Sequence, residues 1–111
     1  MKEPTPHLKF ILDTLETIKD KTPNDHQVFM TDSNAQDATL MRLQDIGEQL
    51  SRIRENFPDF YEKHQTDEWH KLIGLRNLIS HGYREIDFGI IWDVVENKLG
   101  DFTNQIIKLA D

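Results

Sequence analysis

Apolar residues recur every three or four positions along most of this chain, and this spacing constrains its fold more than any other feature. Two stretches show it most clearly, namely Leu8, Ile11, Leu12, Leu15 and Ile18, and then Leu40, Leu43, Ile46, Leu50, Ile53 and Phe57. A period near 3.6 residues places such side chains on one face of an α-helix. No stretch alternates with the period of two that a half-buried strand requires. The sequence therefore predicts an all-α fold, a four- to five-helix up-and-down bundle.

Capping residues and prolines predict the bounds of the first two long helices. Thr5–Pro6 can begin the first helix, with the threonine as its cap and the proline in its first turn. Ser33 can begin the longest helix, where it forms a capping-box pair with Gln36. Pro58 should end that helix, because a proline inside it would remove a hydrogen bond.

The two connections between these helices are expected to carry little regular structure. Residues 23–32 are polar at first and apolar in the middle, which predicts a connection with at most a short helical turn. Its Val28 and Phe29 should both point inward. The run Phe57–Tyr61 starts a linker, after which Thr66 can cap a third long helix.

The last part of the chain predicts two more helices that a glycine separates. Asp87 can cap a fourth helix, whose inner stripe consists of Phe88, Ile91, Trp92, Val95 and Leu99. Gly100 is placed to end that helix, and Asp101 to cap a short final one. The final helix has a narrow apolar face formed by Phe102, Ile106 and Leu109.

Gly47 lies inside the longest helix, where glycine costs about 1 kcal/mol relative to alanine. This cost is understandable if another backbone approaches closely at this position. Glu48 follows directly and is a candidate counter-ion for Arg76 of the third helix. A solvated glutamate is the more common situation for such a residue, so both interpretations stay open.

Arg76 is the least expected residue on the apolar face of the third helix, which carries Trp69 to Ser80. At 100° per residue it falls on the same stripe as Trp69, Leu72 and Ile73. An arginine does not lose its charge, so burying its guanidinium unpaired would cost several kcal/mol. The stripe must therefore open onto a partner, a groove or an interface.

His81 follows Arg76 by five residues, about 140° around an ideal helix, so an uninterrupted helix would separate the two. Gly82 accepts a positive φ, and a helix that ends there would let His81 and Tyr83 turn toward Arg76. A simpler interpretation is that these cations stabilise the last carbonyls of the helix. Asn77 has poor helix propensity, which favours a polar contact with the arginine or with a ligand phosphate.

Composition narrows the class of protein. A length of 111 residues predicts one domain over 1–111. No run approaches the roughly 18 apolar residues of a membrane span, and the N-terminus lacks an apolar signal core, so we expect a soluble, cytoplasmic protein. The net charge of −7 argues against a general nucleic-acid coat protein. The segment 52–84 is the exception, since it holds six bases and five acids and leaves −8 for the remainder.

The cysteine and histidine patterns of common metal sites are absent from the sequence. The chain has no cysteine, which excludes thiolate zinc sites and cysteine nucleophiles. Its five histidines show neither an i, i+4 pair nor a His-Glu-x-x-His spacing. We therefore expect no metal and no other cofactor.

The run Trp69-x3-Ile73-x2-Arg76-Asn77-x3-His81-Gly82-Tyr83 resembles the Arg-x4-His-x-Tyr signature of HepT-like toxins of the HEPN superfamily. Two further segments, Ile46-Gly47-Glu48 and 87–92, resemble the same family in the expected order. The resemblance implies a HEPN-like bundle, with Arg76 and His81 as catalytic residues and Asn77 and Ser80 as supporting or substrate-positioning residues. It also implies Tyr83 as the tyrosine that an antitoxin modifies with adenosine monophosphate.

The same resemblance implies a metal-independent endoribonuclease, the toxin of a type II toxin–antitoxin pair whose antitoxin is a minimal nucleotidyltransferase. Cleavage of RNA needs both an acid and a base, and the motif supplies one histidine per chain. We therefore expect a homodimer that brings two Arg76–His81 pairs into one cleft. An alternative is a non-catalytic helical docking or nucleotide-binding subunit of a nucleotidyltransferase, which the acidic net charge favours and the intact motif disfavours.

Overall fold

The computed structural model describes residues 3–111, except for the side chains of Leu78–His81 and Tyr83. This part of the chain is helical, without a strand, so the predicted all-α bundle is confirmed. The helices are α1 (Thr5–Lys21), α2 (His26–Thr31), α3 (Ser33–Asn56), α4 (Pro58–His64), α5 (Asp67–Gly82), α6 (Phe88–Asp93) and α7 (Leu99–Ala110). A 3-10 turn (Tyr83–Glu85) follows α5, and a π-helical turn (Val94–Lys98) joins α6 to α7.

The longest helix, α3, lies at the centre of the bundle. Both α1 and α5 pack on it, and α7 packs on α1. The predicted stripes form the core, because they supply these buried side chains: Leu8, Ile11, Leu15, Ile18, Leu40, Leu43, Ile46, Leu50 and Ile53. Gln105 of α7 closes the ring, since it accepts a hydrogen bond from Trp69 Nε1 of α5 at 2.8 Å and donates to the His64 carbonyl at 2.8 Å.

Gly47 is the point of closest approach between α3 and α5. A Cβ added at this position would lie 2.2 Å from the Leu72 carbonyl oxygen and 3.3 Å from the Ile73 Cα. No side chain fits in that space. The predicted approach of a second backbone is therefore confirmed, and it sets the register in which α5 lies against the next residue of α3, Glu48.

The cap of α3 lies one residue earlier than predicted. The Asp32 side chain accepts a hydrogen bond from the Ala35 amide at 3.1 Å, so Asp32 and not Ser33 is the cap. A carboxylate is favoured at a helix N-terminus because it interacts with the positive end of the helix dipole. Gln36 does not complete a capping box, since its Nε2 donates to the Phe29 carbonyl at 3.0 Å.

Three other expectations about the first half of the chain need correction. Thr5 is the first residue of α1 and not its cap, which is Pro4. Phe29 is fully buried as predicted, whereas Val28 is 51% exposed, because α2 is a helix and adjacent residues of a helix do not share a face. The predicted linker at Phe57–Tyr61 is largely helix α4, which Pro58 begins.

The predicted break near the C-terminus is also displaced. Asp87 caps α6 as expected, with its Oδ1 accepting from the Gly89 amide at 2.8 Å. Gly100, however, does not end a helix: it has no positive φ and lies in the first turn of α7 together with Asp101. The irregularity is instead the π-helical turn Val94–Lys98. This turn joins α6 to α7 without interrupting the helical path, so apolar residues of both helices can reach the core.

None of the helices in the described residues combines the length and the apolar character needed to cross a membrane.

Candidate active site

Arg76 lies where the buried stripe of α5 meets solvent. Trp69, Leu72 and Ile73, which precede it on this stripe, are 0%, 1% and 7% exposed. The side chain of Arg76 is 44% exposed, and its Nε lies 2.9 Å from Glu48 Oε2 on α3. The arginine therefore leaves the core at the edge of the α3–α5 interface, where its charge is paired.

A second contact from α3 positions the same guanidinium. Arg76 Nη1 donates to Ser51 Oγ at 3.2 Å, and Ser51 is 2% exposed. Glu48 and Ser51 are three residues apart on α3 and so lie on the same face of that helix. Because one contact reaches Nε and the other Nη1, the two together restrict rotation of the guanidinium plane.

Glu48 also binds a second arginine. Its other oxygen, Oε1, accepts from Arg52 Nε at 3.3 Å, one helical turn further along α3. The carboxylate thus lies between two guanidinium groups, and its side chain is 34% exposed. Together these three side chains, two guanidinium groups and one carboxylate, carry a net charge of +1 at the surface of an acidic protein.

The sequence allowed two interpretations of Glu48, a counter-ion for Arg76 and a solvated glutamate, of which the second is the more common. The ion pair shows that Glu48 is the counter-ion. Ser51 was missed. The available signal was a small polar residue three positions after Glu48, on the face of α3 that α5 covers. Arg52 was missed for a different reason, because an i, i+4 Glu–Arg pair on a helix is ordinarily a solvated pair.

The end of α5 is where the sequence predicted it, but the geometry differs. The α-helix ends at Gly82, as predicted, and a 3-10 turn follows. Gly82 has no positive φ, so the expected left-handed exit is wrong. The backbone stays α-helical through residue 81, and positions 76 and 81 therefore remain about 140° apart around the axis.

The other predicted site residues lie in the last turns of α5 and just after it. Asn77 follows Arg76 and is exposed. Ser80 and His81 belong to the last turn of α5, and Tyr83 begins the 3-10 turn. The side chains of these three lie outside the described residues, so their predicted roles stay predictions. Among the described residues, no group of three or more histidine, aspartate or glutamate side chains is arranged to hold a metal ion.

Comparison with known proteins places this chain in a family. The family model described as "Ribonuclease HepT-like" matches residues 11–109. A Methanocaldococcus jannaschii protein named "Putative RNase" is 34% identical over 104 residues, which are 90% of this chain and 84% of that protein. The "Probable ribonuclease HepT" of Thermococcus cleftensis is 25% identical over 104 residues, 93% of this chain and 92% of that protein.

A longer relative from Methanocaldococcus jannaschii is named "Gamma-glutamylcyclotransferase and putative RNase". It is 31% identical over 110 residues, 95% of this chain, but the chain spans only 46% of its length. No solved structure matches the chain. The family model covers most of the chain and includes α3 and α5, which supply Glu48, Ser51 and Arg76. The chain belongs to the HepT-like ribonuclease family.

Proposed function

We propose that this chain is a metal-independent endoribonuclease and the toxin of a type II toxin–antitoxin pair. The observation that carries the proposal is Arg76, whose guanidinium is held by Glu48 and Ser51 while 44% of its side chain is exposed. A guanidinium that is oriented by the fold and open to solvent suits a phosphodiester, because its planar N–H groups match phosphate oxygens. Membership of the HepT-like ribonuclease family supports the same activity.

In the proposed reaction the 2′-oxygen of a ribose attacks the adjacent phosphorus. A base takes the 2′-hydroxyl proton, the P–O5′ bond breaks, and an acid gives a proton to the 5′-oxygen. The products are a 2′,3′-cyclic phosphate and a 5′-hydroxyl. His81 carries the protons, since an imidazole accepts and donates them near neutral pH. Arg76 stabilises the charge of the pentavalent phosphorus, and Asn77 and Ser80 position the substrate.

The proposal also includes a homodimer, which the open space beside Gly74 of α5 supports. Gly74 precedes His81 by seven residues, so the two positions lie within about 20° of each other around the helix. Among the described atoms outside the backbone of its own helix, a Cβ at Gly74 would meet none within 4 Å, and Asn77 beside this line is exposed. A glycine here lets a second helix approach closely, as Gly47 does within the chain. Two chains meeting along this face bring two copies of His81 together, one as base and one as acid, while each Arg76, about 140° around its helix from His81, reaches the scissile phosphate from the α3 side of that helix.

The proposed control of the toxin is adenylylation of Tyr83 by a minimal nucleotidyltransferase antitoxin. The phenol oxygen displaces pyrophosphate from ATP and becomes bonded to the α-phosphorus. The attached phosphodiester carries a negative charge seven residues along the chain from Arg76, where it competes with RNA phosphate for the same guanidinium. The bulky adenosine also obstructs the cleft.

Cleavage of RNA by the purified chain in EDTA tests the nuclease. Wild type should produce 2′,3′-cyclic phosphate ends, and Arg76→Ala and His81→Ala should each abolish the products while the far-ultraviolet circular dichroism stays helical. Arg54→Ala is a matched control, because Arg54 is an exposed arginine of α3 that forms no ion pair with Glu48 among the described side chains. Cleavage that needs Mg²⁺, or that survives in His81→Ala, would contradict the mechanism.

Coexpression with the cognate nucleotidyltransferase tests the control. Intact-protein mass spectrometry should show added adenylate on wild type and none on Tyr83→Phe. A phenol with a reference pKa of about 10 is a poor general base, so Tyr83→Phe should keep substantial nuclease activity. If the mass shift survives in Tyr83→Phe, or if this variant is as inactive as His81→Ala, Tyr83 is not the switch.

A second candidate function is a non-catalytic subunit of a nucleotidyltransferase. The observation that favours it is the pairing of Arg76 with Glu48, which reduces the positive charge offered to RNA in a chain of net charge −7. A wild-type chain that forms a stable complex with the nucleotidyltransferase but leaves RNA intact under every condition would support this function over the nuclease.

A further inference from the structure

A cleft of about 750 Å³ lies between α1 and the helical residues 95–107, and none of the described side chains of α3 or α5 lines it. It is therefore separate from the candidate active site. Six apolar residues line it, namely Leu12, Leu15, Ile18, Val95, Leu99 and Ile107. Leu15, Ile18 and Leu99 are buried at its base, whereas Ile107 is 50% exposed at its edge.

The shape of the cleft suits an α-helix. Its wall from Val95 to Ile107 comprises thirteen residues, and the twelve steps between them amount to about 18 Å at the rise of an α-helix, or about three helical turns. The groove runs between two helical walls, the geometry in which an amphipathic helix places its apolar face. A compact small ligand would leave much of this length empty.

A glycine on the wall of the cleft leaves it open and lowers the stability of the helix that carries it. Gly100 lines it, and a Cβ added there would meet none of the described atoms outside its own helix backbone within 4 Å. Its φ is not positive, so neither sterics nor backbone conformation requires glycine, although glycine inside a helix costs about 1 kcal/mol relative to alanine. Just before it, the π-helical turn Val94–Lys98 has no buried residue, and such turns are frequent at functional sites.

The charges at the rim specify the partner. Glu16 and Asp20 on α1 and Glu96 on the π-helical turn are exposed carboxylates. Lys19 is the single cation among the described residues that line the cleft, and no salt bridge within the described side chains neutralises these three carboxylates. A cationic partner is attracted to such a rim, and an anionic one is repelled.

We propose that this cleft binds a basic amphipathic helix of a separate protein. Leucine-like side chains of the helix cover the apolar floor, and its lysine or arginine side chains pair with Glu16, Asp20 and Glu96. The binding energy comes mainly from the apolar contacts, while the charges select the partner. The proposal does not depend on the nuclease activity.

Binding of a synthetic probe tests the proposal. The probe is a fluorescent peptide of about 18 residues, five helical turns, with leucine at helical spacing and lysine elsewhere, and its counterpart has glutamate in place of lysine. Fluorescence anisotropy should show saturable binding of the lysine peptide to the full chain. Gly100→Trp fills the cleft and should weaken binding about tenfold or more, whereas Gly100→Ala adds one methyl group and should leave it unchanged.

Charge reversal separates the cleft from the net charge. Glu16→Lys with Glu96→Lys should weaken binding about tenfold. Asp45→Lys with Glu55→Lys changes the net charge equally at positions of α3 outside the cleft, and it should have little effect. If Gly100→Trp does not fold, as judged by circular dichroism, the half-exposed Ile107→Lys takes its place and should also weaken binding.

Three results would overturn the proposal. The first is equal weakening by the two charge reversals, which would mean that the peptide responds to net charge alone. The second is binding of the lysine peptide that Gly100→Trp and Ile107→Lys leave unchanged, or equal binding of the glutamate peptide. The third is a change of oligomeric state in Gly100→Trp by sedimentation velocity, which would show that a second copy of the chain occupies the cleft.

Discussion

At the scale of single residues, the fold orients the guanidinium of an arginine that lies on an otherwise apolar helix stripe. Arg76 lies on a stripe that is buried over its preceding turns, yet Glu48 and Ser51 meet its guanidinium at the edge of the core. The pair is roughly one-third to one-half exposed, so solvent screening limits its contribution to stability to about 1 kcal/mol. Glu48 therefore matters more for the direction of the guanidinium than for the free energy of unfolding.

Glu48→Gln should separate these two effects. Glutamine keeps the shape of the side chain but loses the charge that holds Arg76 Nε and Arg52 Nε. We expect the free energy of unfolding in urea to change by no more than about 1 kcal/mol, and RNA cleavage to fall about tenfold. Glu55→Gln, an exposed change on the same helix, is the control. Increased cleavage in Glu48→Gln would instead mean that Glu48 competes with RNA phosphate for Arg76.

At the scale of helices, the bounds follow local chemistry, and the two glycines inside α3 and α7 have opposite surroundings. Gly47 is required because the backbone of α5 occupies the place of its side chain. Gly100 faces open space. The start of α3 depends on the carboxylate of Asp32 and not on the hydroxyl of Ser33.

Alanine at the two glycines should have opposite effects on stability. Gly47→Ala places a Cβ 2.2 Å from the Leu72 carbonyl oxygen, so we expect a loss of about 1–3 kcal/mol despite the better helix propensity of alanine. The Cβ of Gly100→Ala contacts none of the described atoms outside its own helix backbone, so this variant should gain up to about 1 kcal/mol. Thermal and urea unfolding measure both. A stabilising Gly47→Ala would mean that the α3–α5 contact can separate at little cost.

The cap of α3 can be tested in the same way. Asp32→Ala removes the acceptor of the Ala35 amide and should destabilise the chain by about 0.5–2 kcal/mol. Ser33→Ala, one residue later, should change the free energy of unfolding by less than about 0.5 kcal/mol. The reverse order would restore Ser33 as the cap.

At the scale of the whole molecule, two surfaces of the bundle face outward with different characters. The α5 surface around Gly74 and Asn77 lies on the helix that carries Arg76, whereas the cleft between α1 and α7 has an acidic rim. None of the described side chains of α5 lines that cleft, although the hydrogen bond between Trp69 and Gln105 joins α5 to α7 elsewhere. This separation allows self-association at one surface and partner binding at the other.

Gly74→Trp should disrupt the proposed homodimer. The indole fills the space through which a second α5 approaches, so light scattering at micromolar concentration should show a dimer for wild type and a monomer for this variant. Gly100→Trp makes the same change on α7 and should remain a dimer. A monomeric wild type, or a dimer that Gly74→Trp leaves intact, would contradict a dimer formed through this face.

Local patterns in the sequence were sufficient to predict the long helices α1, α3 and α5, but not helix α4, where a linker was expected. The spacing of apolar residues and the residues that cap or end a helix act within one or two helical turns. The following features could therefore be predicted: the core stripes of α1 and α3, the cap at Asp87 and the end of α5 at Gly82. The close approach at Gly47 was also predictable, because a glycine that weakens a long helix usually has a packing or functional role there.

Only the tertiary structure decided which residues meet Arg76. Glu48 and Ser51 precede it by 28 and 25 residues, and their contacts depend on the register of α5 against α3, which is set by packing at Gly47. The same holds for Phe29 rather than Val28 in the core, and for the π-helical turn at Val94–Lys98 rather than a stop at Gly100. In each case the local pattern allows several outcomes, and contacts between helices distant in the sequence select one, because burial of apolar surface outweighs the small local preferences.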